Sequence, residues 1–194
     1  MGSIKVVKPE VRILGVDDGP FDKFKPGEEV LVVGVVFRGK DSLDGLLSTK
    51  VECDGNDATE KLVKMVKGSN QRHQIRFIML DGIALGGFNV VDVEELYRAL
   101  KIPVIVVIRR RPDMKAIERA LRRFKDGERR MEILRKAGEV RKCGKIFFQC
   151  YGVEPTIAEQ VIKKSTKRGN MPEPLRVAHI IASGIVLGES HGRA

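Results

Sequence analysis

The sequence has no tryptophan, only three cysteines, and no apolar run close to the roughly 20 residues that a membrane-spanning helix needs. The cysteines are odd in number and form no CxxC pair, which argues against a disulfide framework and a structural zinc site. The amino terminus also lacks the apolar stretch of a signal peptide. We therefore expect a cytoplasmic protein without a membrane partner and with reduced thiols at Cys53, Cys143 and Cys150.

Several catalytic motifs are missing as well. The glycines form neither a P-loop nor a dinucleotide-binding fingerprint, and no serine or cysteine has a recognisable triad context. His73, His179 and His191 are scattered, and a lone histidine is more often a surface or satisfied residue than a catalyst. These absences disfavour P-loop, dinucleotide-dependent and triad chemistry.

The composition is that of a globular protein with an uneven charge distribution. A chain of 194 residues with 42% hydrophobic content can bury a core, so we expect one domain over residues 1–194. Residues 1–100 carry 14 Lys and Arg against 16 Asp and Glu, whereas residues 101–194 carry 22 against 10. The basic half predicts a polyanionic partner; the alternative is a solvated basic surface that aids solubility.

The order of apolar patterns predicts an α/β fold built on a mixed sheet. Three consecutive strands, at about 10–17, 30–37 and 44–54, have short links and favour an antiparallel meander. A helix, a strand, a second helix and another strand follow, with the strands at about 75–81 and 103–108. Because such crossovers bring parallel strands side by side, the strands ending at 17, 81 and 108 should share one sheet edge.

Helical patterns dominate the rest of the chain. Asn89 is a candidate N-cap for the helix over residues 90–100. Residues 110–142 form a basic helical segment within the domain, and a last strand follows it. Two further helices begin near Thr156 and Pro172. Together these patterns predict a mixed sheet with helices on both faces.

Two of the predicted parallel strands end in acid followed by glycine. The first ends at Asp17, directly before Asp18-Gly19, and the fourth ends at Asp81-Gly82. Ligands of open α/β sheets bind at the carboxyl ends of strands, and neighbouring strands lie about 4.8 Å apart. Asp17 and Asp81 can therefore share one hard divalent cation such as Mg²⁺. The alternative is that each aspartate caps an ordinary turn.

A third ligand would come from the segment between the third strand and the first helix. Glu52, Asp54 and Asp57 are all available there. Asp57 with Glu60 is also typical of a helix start, so a capping role competes with a metal role. Asp54 is the alternative ligand.

Three arginines follow the strand at 103–108. Arg109, Arg110 and Arg111 should reach the same sheet edge as the acids. Guanidinium groups bind phosphate through paired hydrogen bonds, so the arginines are candidates for binding an anionic substrate. The alternative is that they are solvated residues at a strand end.

Four short motifs occur in the order and rough spacing of endonuclease V, a metal-dependent nuclease with a ribonuclease H-like fold that cuts near inosine. They are Gly15-Val16-Asp17, Leu80-Asp81-Gly82-Ile83-Ala84, Pro103-Val104-Ile105-Val106-Val107-Ile108-Arg109 and Pro172-Glu173-Pro174-Leu175-Arg176-Val177-Ala178-His179. The chain also resembles an uncharacterised archaeal family related to that enzyme, through Asp54-Gly55-Asn56-Asp57-Ala58-Thr59 and Gly87-Phe88-Asn89-Val90. The resemblance spans nearly the whole chain.

The resemblance implies a ribonuclease H-like mixed sheet and a divalent-metal-dependent phosphodiesterase activity on DNA or RNA, with Mg²⁺ or Mn²⁺ as cofactor. It implies that Asp17 and Asp81 are metal-binding and catalytic. Asp57 falls where the enzyme has its catalytic glutamate, which makes it the implied third catalytic ligand. Arg109 falls on the enzyme's lysine after the same strand.

Two features depart from endonuclease V. Its Tyr-Ile-Pro-Gly wedge, which separates strands beside the damaged base, has no counterpart in Leu46–Cys53, and Val153 stands where the family carries a functional histidine. Two other functions therefore stay open beside a nuclease. One is a catalytically silent nucleic-acid-binding relative that uses the basic surface over residues 109–142. The other is an α/β enzyme for a small anionic substrate.

Overall fold

The computed structural model describes residues 6–190. The strands are β1 (Arg12–Asp18), β2 (Glu29–Arg38), β3 (Ser42–Glu52), β4 (Phe77–Asp81), β5 (Ala84–Leu85), β6 (Asn89–Val90), β7 (Val104–Ile108), β8 (Arg141–Cys143) and β9 (Ile146–Tyr151). The helices are α1 (Ala58–Lys67), α2 (Val93–Leu100), α3 (Met114–Leu121), α4 (Gly127–Lys136), α5 (Pro155–Ser165) and α6 (Glu173–Leu187). Within residues 6–190, no helix has the length and apolar character needed to cross a membrane.

The seven-stranded sheet confirms the predicted mixed topology. Its strands follow the order β3-β2-β1-β4-β7-β9-β8, while β5 and β6 form a separate hairpin. β1, β2 and β3 form the antiparallel meander, and β4 pairs in parallel with both β1 and β7. β9 runs antiparallel to β7 and carries β8 at the outside. The carboxyl ends of β1, β4 and β7 therefore share one edge, called the carboxyl edge below.

Alternation along the central strands assigns each side chain to one face of the sheet. Leu14 of β1 and Ile78 of β4 join the core formed with α1 and α2, whereas Ile13 and Phe77 join the core formed with α5 and α6. Helices consequently cover both faces. Strands buried on both faces are apolar almost throughout, which explains why these runs were recognisable in the sequence.

Asn89 does not cap the helix that follows it in the chain, contrary to the prediction. It lies in β6 and is buried, and α2 begins at Val93. Asp92 is the N-cap instead, because its carboxylate accepts a hydrogen bond from the backbone N–H of Glu95 at 2.9 Å. The Asn89 amide is used elsewhere: its Oδ1 accepts from the backbone N–H of Ala58 at 3.0 Å, which ties β6 to the start of α1.

One buried arginine fastens the basic helical segment to the rest of the fold. The Arg130 guanidinium donates to the Asp126 carboxylate at 3.0 Å, to the carbonyl oxygen of Phe88 at 2.8 Å and to that of Asp54 at 2.9 Å. It also lies 4.3 Å from the centroid of the Phe124 ring. Helix α4 is therefore held against the β5–β6 hairpin.

Candidate metal-binding site

A glycine in β1 allows α6 to pack closely on the sheet. A Cβ atom at Gly15 would lie only 2.5 Å from the backbone carbonyl carbon of Pro174, a separation that side chains do not tolerate. The first turn of α6 therefore rests directly on the backbone of β1. Asp17 lies two residues after Gly15, and so on the same face of the strand, where it meets α6 further along the helix.

Asp17 and Asp81 end neighbouring parallel strands on one face of the sheet. The pairing of β1 with β4 runs as far as Val16 with Leu80, so continuing the register sets the two aspartates side by side. The Asp17 side chain is 7% exposed and that of Asp81 is 12% exposed. The structure thus places two largely buried carboxylates together at the carboxyl edge.

Burial and like charge disfavour the ionised form of Asp17. Burial is the main cause and the carboxylates of Asp81 and Asp18 add to it, so the pKa of Asp17 is raised to about 9. A hydrogen bond from the backbone N–H of Asp18 at 3.0 Å and the charge of Arg109 act in the opposite direction. A cation bound between the carboxylates would favour the ionised form.

Asp18 lies directly after Asp17 and joins β1 to the β5–β6 hairpin. Its Oδ2 accepts a hydrogen bond from the backbone N–H of Gly86 at 2.7 Å. Burial raises the pKa of the Asp18 carboxyl, and the hydrogen bond from Gly86 opposes that effect. Asp18 therefore connects the acid pair to the hairpin that Arg130 holds.

Arg109 lies at the carboxyl edge and pairs with Asp81. Its Nη2 donates to Asp81 Oδ2 at 2.6 Å, while much of the guanidinium side chain stays exposed. Burial lowers the pKa of Arg109, but the hydrogen bond and the charge of Asp81 outweigh it, and the net shift is upward. Arg110 and Arg111 are exposed in the turn that follows β7, and their role in substrate binding stays a prediction.

His179 is a site residue that reasoning from the sequence missed. Its Nδ1 lies 2.9 Å from Asp17 Oδ2, so a hydrogen bond forms with the proton on either partner. The available signal was its place in the last of the four motifs, three residues after Arg176.

The chain has two other histidines, His73 and His191. His73 lines a cleft formed with the amino-terminal ends of β1 and β4, and His191 lies outside the described residues. Val153 packs against the core beside α5.

Asp57 belongs to a different network from the acid pair. It precedes α1 in the N-cap position, but its side chain does not cap the helix, so that predicted role is wrong. Its Oδ1 accepts instead from Asn89 Nδ2 at 2.7 Å and from the backbone N–H of Glu52 at 3.1 Å. Lys61 Nζ lies 3.9 Å from the other oxygen.

Asp54, the alternative third ligand, closes a turn. Its backbone adopts a left-handed conformation with φ of 57°, and its Oδ1 accepts from the backbone N–H of Phe88 at 2.8 Å. Its own N–H donates to the carbonyl oxygen of Gly86 at 2.8 Å. These bonds tie the segment before α1 to the β5–β6 hairpin.

The donors at the carboxyl edge fit a divalent cation held by two protein carboxylates. Across residues 6–190, no three His, Cys, Asp or Glu side chains are grouped so as to hold a metal ion, so the predicted trio of Asp17, Asp57 and Asp81 is not assembled. Asp57 Oδ1 instead accepts hydrogen bonds from Asn89 Nδ2 and from the backbone N–H of Glu52. Carboxylate oxygens are hard ligands, and Mg²⁺ commonly uses one or two of them while keeping several waters.

Comparison with solved structures identifies the class of fold. Endonuclease V from Ciona intestinalis, solved with a 24mer DNA containing an inosine followed by a ribo-adenosine, matches with a TM-score of 0.57 at 16% identity, over 91% of this chain and 84% of that one. A crystal structure of a protein of unknown function from Archaeoglobus fulgidus matches with a TM-score of 0.84 at 46% identity, over 90% and 97% of the two chains. The chain has the ribonuclease H-like fold seen in endonuclease V.

Sequence comparison identifies the family. The profile of the family described as endonuclease dU matches residues 9–186. A UPF0215 protein from Methanothermobacter thermautotrophicus is 49% identical over 196 residues, which cover 99% of this chain and 96% of that protein. The chain belongs to the endonuclease dU family, and the resemblance to an archaeal family related to endonuclease V is confirmed.

Proposed function

We propose that this chain is a divalent-metal-dependent phosphodiesterase that cleaves DNA or RNA. Asp17 and Asp81 hold Mg²⁺ or Mn²⁺, and Arg109 binds a phosphate of the substrate. The observation that carries the proposal is the pair of largely buried carboxylates on adjacent parallel strands, whose mutual repulsion a bound cation relieves.

The side chains around the acid pair have distinct roles in this proposal. A divalent ion, when bound, lowers the pKa of a water ligand and polarises a phosphoryl oxygen. Arg109 exchanges its hydrogen bond to Asp81 for the substrate phosphate, because a guanidinium binds phosphate oxygens in pairs. His179 orients the Asp17 carboxylate from α6, as groups next to metal ligands commonly do.

The charge distribution supports a nucleic-acid substrate. The basic residues concentrate in the half of the chain that includes α3 and α4, which Arg130 fastens to the hairpin beside β1. The Ciona relative was solved with inosine-containing DNA, and the matching family is described as endonuclease dU. Oligonucleotides with deoxyuridine are therefore the first substrates to test, and those with inosine the second.

Cleavage of labelled oligonucleotides tests the proposal. Purified protein with Mn²⁺ should nick single- or double-stranded oligonucleotides that carry deoxyuridine or inosine, and EDTA should prevent it. Asp81→Asn preserves the shape of the side chain but removes its charge. We expect it to reduce the cleavage rate by roughly 1,000-fold or more, equivalent to about 4 kcal/mol.

Asp44→Asn is the matched control. Asp44 also pairs with an arginine, since its Oδ2 lies 3.0 Å from Arg12 Nε, but this pair lies at the opposite edge of the sheet. The control should cleave within a few-fold of the wild-type rate. Activity that survives Asp81→Asn, or that is lost equally in both variants, would contradict the assignment of the metal site.

A catalytically silent nucleic-acid-binding protein is the second candidate. It is favoured by the bond between Arg109 and Asp81 and by the commitment of Asp57 to Asn89, because both leave fewer oxygens for a metal. A silent binder should retain oligonucleotide binding that weakens steeply between about 50 and 200 mM salt, without cleavage in any divalent metal. Fluorescence anisotropy together with the cleavage assay distinguishes the two candidates.

A further inference from the structure

Two exposed phenylalanines lie in the loop that follows the metal-binding strand β1. The chain has eight phenylalanines and two tyrosines, all within residues 6–190. Eight of these ten rings are buried or partly buried, whereas Phe21 is 37% and Phe24 81% exposed. Both belong to the connection between β1 and β2, residues 19–28. Singly scattered apolar residues are ordinary on a protein surface, but this pair is concentrated at the carboxyl edge.

Hydrogen bonds hold the loop in a defined conformation. The backbone N–H of Gly19 donates to the carbonyl oxygen of Leu31 at 2.8 Å. The N–H of Phe24 donates to Asp22 Oδ1 at 2.9 Å, and that of Lys25 to the Asp22 carbonyl at 3.0 Å. These bonds form a turn at Asp22–Lys25 that carries the exposed Phe24 ring.

The loop lies beside the segment in which the endonuclease V wedge is absent. The N–H of Gly27 donates to the carbonyl oxygen of Cys53 at 2.9 Å, and the N–H of Cys53 donates to that of Glu28 at 2.8 Å. Cys53 ends the stretch that lacks the Tyr-Ile-Pro-Gly motif. The carboxyl-terminal end of the loop that carries the exposed rings is thus hydrogen-bonded to the end of the stretch without the wedge.

The loop is also within reach of the acid pair. Phe21 follows Asp17 by four positions and Phe24 follows it by seven, so their Cα atoms lie at most about 14 Å and about 25 Å from that of Asp17. These distances correspond to about four and about seven stacked nucleotides at roughly 3.4 Å each. A single strand bound at Asp17 and Asp81 can therefore extend onto the rings.

A lysine accompanies the more exposed ring. Lys23 Nζ lies 5.2 Å from the centroid of Phe24. Lys25 is exposed as well, in a surface ion pair with Glu28 at 3.4 Å. Proteins that bind single strands combine aromatic rings, on which bases stack, with cations that contact the backbone. The chemistry of the loop matches a nucleotide, with its aromatic base and its charged phosphate.

We propose that Phe24, supported by Phe21, is a stacking site for an unpaired nucleobase of the bound strand, and that Lys23 contacts an adjoining phosphate. The inference rests on the proposed function, because it requires a nucleic-acid ligand, but it does not require cleavage. Stacking needs no particular base, since every base has an aromatic face. The loop therefore contributes affinity for unpaired strands rather than recognition of one base.

The absence of tryptophan allows a direct spectroscopic test. Phe24→Trp introduces a single indole at the proposed site. Leu43→Trp is the matched control, because Leu43 is 48% exposed and lies near the β2–β3 turn at the opposite edge of the sheet. With EDTA present to prevent cleavage, a single-stranded oligonucleotide should quench the indole of Phe24→Trp and leave that of Leu43→Trp unchanged.

Affinity provides the second measurement. Phe24→Ala should weaken binding of a single-stranded oligonucleotide by roughly 5- to 150-fold, as for loss of one stacked base, and Leu43→Ala should not. An abasic oligonucleotide of the same length and charge should bind wild-type protein and Phe24→Ala within about twofold, because it lacks the base that stacks. Fluorescence anisotropy measures both.

Three results would overturn the stacking site. Oligonucleotide binding without quenching in Phe24→Trp and without loss in Phe24→Ala would remove it while leaving the proposed nuclease intact. Absence of oligonucleotide binding by the wild-type protein would remove both proposals. Indole emission of Phe24→Trp that shifts with protein concentration alone would assign the loop to a contact between copies of this chain.

Discussion

Two groups of acids occupy the carboxyl edge of the sheet, and they differ in how their charge is compensated. The strand group is Asp17 with Asp81, and the loop group is Asp54 with Asp57. Each carboxylate of the loop group accepts a hydrogen bond from a main-chain N–H, that of Phe88 for Asp54 and that of Glu52 for Asp57. In the strand group, burial and the neighbouring acids raise the pKa of Asp17 to about 9.

This difference shows what separates a candidate metal ligand from a structural acid at the same sheet edge. A buried carboxylate whose neighbours are also acidic is unfavourable unless a cation is present, which is typical of a functional site. A carboxylate that joins two segments through main-chain donors stabilises the fold. The four residues are of one chemical type, and only their surroundings distinguish them.

The largest expected effect is the pH dependence of the strand group. The pKa of Asp17 in the folded protein, about 9, lies above the usual 3.8, so the folded state binds this proton more tightly than the unfolded state. Its contribution to stability is fully present below about pH 4 and is lost as the pH rises toward about 9. Urea denaturation of the metal-free protein should show that the free energy of unfolding falls, because of this group, by up to about 1.4 kcal/mol per pH unit.

Variants of the two groups distinguish this effect from the general pH dependence. Asp17→Asn should flatten the decline of the free energy of unfolding with rising pH, whereas Asp54→Asn should retain the wild-type slope of that decline. Added Mn²⁺ should stabilise the wild-type protein more at high pH than at low pH, because the cation binds the ionised form. Equal slopes for the wild type and Asp17→Asn would show that the two acid groups do not differ in this way.

The second effect comes from removing the arginine that holds the loop group. Arg130→Met leaves the carbonyl oxygens of Asp54 and Phe88 without their buried donor and Asp126 without its partner. We expect the free energy of unfolding to fall by about 3 kcal/mol, measured by urea denaturation.

Arg129→Met is the matched control, because this neighbouring arginine is exposed. It should change stability by no more than about 0.5 kcal/mol. The pH slope attributed to Asp17 should be the same in both variants, since neither changes the strand group. A destabilisation of equal size in both would mean that the buried hydrogen bonds of Arg130 are not its main contribution.

The smallest expected effect is that of Asp57→Asn. The amide keeps an oxygen that can accept from Glu52 and Asn89 but loses the charge that strengthens those bonds, so stability should fall by about 1 kcal/mol. Oligonucleotide cleavage should stay within about fivefold of the wild type. A decrease of 100-fold or more in the cleavage rate, with nearly unchanged stability, would identify Asp57 as a third metal ligand beside Asp17 and Asp81.

Much of the fold follows from local patterns in the sequence, and so do three residues of the candidate site, Asp17, Asp81 and Arg109. β1 and β4 were recognisable because strands buried on both faces are continuously apolar, and parallel crossovers require their carboxyl ends to meet. That reasoning places Asp17 near Asp81, with Arg109 at the same edge. Local patterns do not predict the hydrogen-bond partners of Asp57 and Asn89. Each residue type is suited to an N-cap, and which helix end it caps, if any, depends on the segments that lie nearby in the fold.

By itself, the sequence determined the mixed sheet, the shared edge and the two strand-end acids, since these depend on hydrophobic period and chain direction. Tertiary structure alone decided three further features: the contact of His179 with Asp17, the commitment of Asp57 to Asn89, and the anchoring of α4 by Arg130. Each joins residues that are more than 30 positions apart through a side-chain hydrogen bond. Such bonds form only when donor and acceptor are placed to within a few tenths of an ångström, and only the packed fold places them so.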